Sequence, residues 1–111
     1  MENKLTSIFS EVFKEYTIQN DKYKNQSYPM LEFPCTQELI LNMKEDFNLT
    51  MYKAMSYRDC LSWYAILQEA VYDVFSETQP VLQRENMIKA TAIAFSIIEY
   101  LDKIIEGINH E

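Results

Sequence analysis

Three side chains near the middle of the chain have types and spacing that suit cation chemistry. Glu69, Asp73 and Glu77 are carboxylates four residues apart, so on a helix they stack one turn above another. At 100° per residue, Ser62, Ile66, Glu69, Asp73, Ser76 and Glu77 share about 100° of arc. The rest of the stretch SWYAILQEAVYDVFSE (Ser62 to Glu77) is apolar apart from Gln68. A helix apolar over so wide an arc must touch neighbours on several sides. Like charges one turn apart cost roughly 0.2–0.5 kcal/mol on an open surface. In a cleft they cost more, unless a cation or a raised pKa relieves them. Two readings stand: the strip is the exposed edge of a packed helix, or Glu69 and Asp73 form a pair set for a cation.

Downstream, Asn86 falls on the same stripe as Ile93, Ile97 and Ile104. An amide there needs a partner, because burying it unsatisfied costs about 1–3 kcal/mol. Near a helix start it can also reach water or a chain end. Lys89 stands at the polar border of that stripe, where it is either a solvated lysine or a cation for the acid pair. The single histidine, His110, lies at the tail, and no base stands near Ser62 or Cys60 in sequence, so nucleophilic catalysis has no support.

The elements that must position these groups read as helices. One Gly and three Pro in 111 residues disfavour a turn-rich β fold. Leu5, Ile8, Phe9, Val12, Phe13 and Tyr16 recur at steps of three and four and predict a first helix over about 4–18. Thr36 caps a second, to about Met55, with a bend or break expected at FNLT, Phe47–Thr50. SYRD at Ser56–Asp59 resembles a capping box and would open a third helix running to about Glu77. Thr78 would cap the fourth, with Pro80 in its first turn, over about 81–106. The expectation is all-α: one domain, 1–111, folded as a four-helix bundle.

Composition narrows the function. Apolar residues are 48% and charged residues 24%, which is globular and not disordered. Seventeen acids against ten bases give a net charge of −7, so nucleic-acid binding is disfavoured. The longest apolar stretch, ATAIAFSII, is half a membrane span, and the N-terminus lacks a signal-peptide core. A soluble cytoplasmic protein is expected, with no membrane partner. Cys35 and Cys60 make no metal-ligand pattern and read as free thiols, a disulfide remaining open.

In order along the chain, Trp63, Ile66-Leu67, the acid-rich turn Glu69–Asp73, Lys89, the run ATAIA and Ile98-Glu99-Tyr100-Leu101-Asp102 resemble the core of MazG-like proteins, all-α nucleoside triphosphate pyrophosphohydrolases. Upstream, IQNDKYKNQSYP is similar to the Gln-x-x-Lys-Trp-Gly-x-Gln-x-His-Pro segment of such proteins. The resemblance implies a magnesium site built from Glu-Glu-x-x-Glu on one helix and Glu-x-x-Asp on the next. In this chain the first motif falls on Glu69, Ala70 and Asp73, and the second on Asn86 and Lys89. Ala70 ligates nothing, Asn86 would offer a neutral oxygen, and Lys89 brings a positive charge that could stand in for the metal. The implied metal set is therefore Glu69, Asp73 and Asn86, with Glu69 and Asp73 catalytic. Tyr23, Gln26, Trp63 and Lys89 are the implied substrate contacts, and Tyr28 joins Tyr23 and Trp63 as aromatics that could frame a base.

Two functions follow from the resemblance. One is conversion of a nucleoside triphosphate to monophosphate and pyrophosphate, magnesium-dependent, with a weakened metal site. The other is a MazG-like fold whose chemistry has lapsed, acting as a nucleotide-binding or protein-interaction module. Small chains of this kind assemble as dimers or tetramers, and the wide apolar arc around Ser62–Glu77 agrees, so a homo-oligomer, at least a dimer, is expected.

Overall fold

The computed structural model describes residues 4–23, 28–58 and 62–110, with side chains described except at 54–58 and 109–110. Four helices fill it: α1 Lys4–Tyr23, α2 Gln37–Arg58, α3 Trp63–Ser76 and α4 Pro80–His110. No strand occurs among the described residues, so the all-α expectation holds.

The helix ends follow local chemistry. The Thr36 hydroxyl accepts from the Leu39 N–H at 3.2 Å, and its carbonyl accepts from the Ile40 N–H at 3.0 Å, which starts α2 as expected. No break occurs at Phe47–Thr50, where the Thr50 hydroxyl bonds back to the Asp46 carbonyl at 2.9 Å and α2 continues to Arg58. Ser56, Tyr57 and Arg58 are therefore the end of α2 and not the start of the third helix; Asp59 and Cys60 lie outside the described residues. The cap of α3 is Ser62, extended at φ −108° and ψ 157°, whose hydroxyl accepts from the Ala65 N–H at 3.1 Å. Ahead of α4 the Gln83 N–H donates to the Gln79 carbonyl at 2.9 Å, so Gln79 and not Thr78 stands at the cap and Pro80 takes the first helical position. The helix runs through Gly107 rather than ending before it.

The chain divides into two units, residues 30–94 and residues 1–29 with 95–111. In the first, α2, α3 and the start of α4 are knitted together at Glu77. Its carbonyl accepts from Gln37 Nε2 at 3.0 Å and from Gln83 Nε2 at 2.8 Å. Ile40, Ala65, Ala70, Val74 and Ala90 are buried here, Val74 completely. Phe47 of α2 packs edge-on against Tyr64 (6.2 Å between centroids) and tilted against Tyr72 (5.5 Å), both of α3.

In the second unit α1 lies antiparallel to the C-terminal half of α4. Lys4 at the start of α1 pairs with Glu106 near the end of α4, and Phe9 stacks on Phe95 at 4.9 Å. Ile8 is its one buried large apolar side chain among the described residues.

Candidate functional site

A cleft of about 250 Å³ opens between α3 and α4 in the unit of residues 30–94. Its α3 wall carries Ile66, Glu69, Ala70 and Asp73, and its α4 wall Asn86, Lys89 and Ile93. The four-residue spacing of Ile66–Ala70 and Glu69–Asp73 is what sets one turn of α3 above another along the same wall. Four residues singled out by type and spacing, Glu69, Asp73, Asn86 and Lys89, are thus brought together.

Asp73 is the most engaged of them. Its Oδ1 lies 2.8 Å from Lys44 Nζ, with side-chain exposures of 42% and 30%, so the pair is only partly desolvated. Its backbone carbonyl, among the last four of α3, accepts from Asn86 Nδ2 at 3.1 Å. Those terminal carbonyls have no partner within their own helix, so Asn86 caps α3 from α4, and the amide finds the partner that its place on an apolar stripe demands. Glu69 is exposed and makes no ion pair among the described residues; the same holds for Lys89.

Lys44 is the participant that sequence reasoning missed. It stands at the edge of the apolar arc of α2, within about 20° of Met51 at 100° per residue. A lysine at such a border can lay its stem along apolar surface and carry its charge to a neighbouring helix. The cation at Asp73 is therefore this α2 lysine, whereas Lys89 lines the cleft from α4.

The remaining residues expected at the site are placed as follows. Trp63 opens α3, 37% exposed, six residues before Glu69, and does not line the cleft. Tyr23 ends α1 in the other unit, edge-on to Tyr28 at 5.9 Å and with Lys22 Nζ 5.4 Å from its ring centre. Gln26 lies outside the described residues. A second, wider cleft between α2 and α3 is walled by Phe47, Tyr64, Tyr72, Met43 and Met51. By helical angle it faces about 120° away from the acid pair around α3.

The donor set fits a resident magnesium ion poorly. That ion asks for near-octahedral oxygen coordination, with anionic ligands offsetting its dehydration. Here one carboxylate is already paired with an ammonium group, and Asn86, whose NH₂ bonds the α3 backbone, has only a neutral Oδ1 to offer. Among the described residues no three of His, Cys, Asp or Glu come together to hold a metal. Lys44 offsets Asp73, while Glu69 and Lys89 line the cleft from opposite walls without an ion pair.

No family model, curated protein or solved structure matches this chain. No helix among the described residues is long and apolar enough to cross a membrane.

Proposed function

We propose that this chain is a MazG-like helical protein of the cytoplasm whose α3–α4 cleft binds a nucleotide without a divalent metal, and that pyrophosphohydrolysis has lapsed. The observation that carries the reading is the Lys44–Asp73 ion pair at 2.8 Å. It supplies at Asp73 the positive charge that a hydrolase of this kind would take from magnesium. The cleft suits parts of a nucleotide: Lys89 can meet a phosphate, Glu69 can accept from a sugar hydroxyl, and Ile66, Ala70 and Ile93 offer apolar surface. A tethered lysine, unlike a bound metal, does not generate hydroxide from a coordinated water at neutral pH, so binding is retained and turnover is not. A homo-oligomer belongs to the same reading.

Pyrophosphate release from a panel of nucleoside triphosphates, with millimolar magnesium, tests it. The expected result is no release above the buffer rate. Catalytic release would establish the alternative, a working pyrophosphohydrolase with Glu69 and Asp73 at its centre.

A further inference from the structure

The second cleft, of about 430 Å³ between α2 and α3 in the unit of residues 30–94, differs from the first in chemistry. Phe47 of α2 and Tyr64 and Tyr72 of α3 bring three aromatic rings to it, and Met43 and Met51 add polarisable thioethers. Its one charge among the described residues is the Asp46 carboxylate, and no Lys, Arg or His among them lines it. Asp46 is exposed and makes no ion pair among the described residues. Phe47 is half-buried, yet Tyr64, in contact with it, is 66% exposed.

We propose that this cleft binds a methylated ammonium group, carried by a small quaternary amine or by a methylated lysine side chain. A cation is attracted to the face of an aromatic ring, within about 6 Å of its centroid. Phe47 stands at 72° to Tyr64 and at 57° to Tyr72, with 6.2 and 5.5 Å between centroids. Rings so inclined do not cover one another face on face. In the edge-on pair, the ring that offers its edge keeps both of its faces. Methyl groups give the ammonium an apolar exterior that suits the thioethers and rings, and Asp46 supplies the opposite charge. The volume lies within the range of about 300–1,000 Å³ usual for small-ligand sites, which are mostly apolar with a few polar groups to fix orientation.

Two other occupants fit less well. An anion meets no cationic side chain among the described residues here, in contrast to the α3–α4 cleft with its Lys89. The net charge of −7 draws cations and repels anions. A purely apolar partner, such as a helix laid along the groove, would cover the Asp46 carboxylate without giving it a partner, which costs free energy. The inference is independent of the nucleotide reading, because the two clefts lie on faces of α3 about 120° apart.

Titration of the full chain with choline, followed by amide NMR shifts, tests it. Choline is expected to bind with a Kd of about 1 mM or tighter and to shift amides of 43–51 and 64–72. Its tert-butyl carbon isostere, the same shape without the charge, is expected to bind about tenfold more weakly or worse. Tyr64→Leu and Asp46→Asn alter exposed side chains, so each is expected to keep its helical circular dichroism and to weaken choline at least about threefold. Phe13→Leu, at an exposed ring in the other unit, is expected to change nothing. A peptide bearing trimethyllysine separates the two sources. Binding tighter than choline assigns the cleft to a methylated side chain, and binding no tighter assigns it to a free quaternary amine. The absence of a saturable shift with both choline and the methylated peptide overturns the proposal. So does an unmodified lysine peptide that binds as well as the methylated one, or choline binding unchanged in both Tyr64→Leu and Asp46→Asn. An isostere that matches choline on the wild type also overturns it, whatever the variants do, and leaves an apolar docking groove.

Discussion

Lys44 of α2 and Asp73 of α3 meet at 2.8 Å, and through that pair one helix neutralises the carboxylate that a second helix presents to a third. The pair ties packing to site chemistry. It links α2 to α3, and it offsets one of the two carboxylates that the α3–α4 cleft shows to a ligand.

Replacing Lys44 by Met removes the charge and keeps much of the stem's volume. The pair is partly exposed, and ion pairs of this kind contribute up to about 1 kcal/mol. We expect Lys44→Met to lose roughly 0.5–1 kcal/mol in urea unfolding, with the difference from wild type shrinking in 1 M salt because salt screens the intact pair. Equal midpoints at low salt would show that the pair contributes nothing.

Asn86→Ala deletes the cap that α4 places on the Asp73 carbonyl. A part-buried neutral hydrogen bond contributes about 0.5–1.5 kcal/mol, and a loss of that size is expected in the same assay. Asn86→Asp should lose more, because a carboxylate cannot donate to that carbonyl and adds negative charge beside Asp73.

Ser62→Ala tests the start of α3. Its hydroxyl caps the Ala65 N–H, and removing such a cap costs typically ~1 kcal/mol. Ser56→Ala should cost less, since Ser56 belongs to α2 and starts no helix. The reverse order would move the start of α3 back to Ser56.

The contrast between Ser56 and Ser62 also shows what could be read in advance. Both sit where a cap is plausible, and local pattern cannot choose between them. The choice is made by α2 continuing through FNLT, which propensity disfavours but which burial of Ile40 and packing of Phe47 against α3 sustain. The cleft residues were legible because they lie on single helices. Four-residue spacing places Glu69 above Asp73, and the apolar stripe of α4 carries Asn86 with it. Lys44 was not legible: it comes from a third helix, and only the packing of α2 on α3 says which border residue reaches across. Gly107, just past the expected end of α4 at 106, lies inside the helix, where a single glycine costs only about 1 kcal/mol.

A metal site should be recoverable by reversing the two features that close it. Lys44→Met combined with Asn86→Asp leaves Glu69, Asp73 and an acid at 86 around one cleft with no lysine on Asp73. We expect the double variant to be less stable than wild type without metal, and to regain at least ~1 kcal/mol with 10 mM magnesium, corresponding to a Kd of about 2 mM or tighter by ligand linkage. Wild type should gain nothing resolvable. A double variant indifferent to magnesium would show that the cleft walls lie too far apart for shared coordination.

The most direct measurement is the melting temperature of the wild type with a nucleoside triphosphate, in EDTA and again in millimolar magnesium. A cleft with its own tethered cation should give an upward shift in EDTA that magnesium does not enlarge. A shift that appears only with magnesium would contradict the account, because the positive charge at Asp73 would then have to come from the metal and not from Lys44.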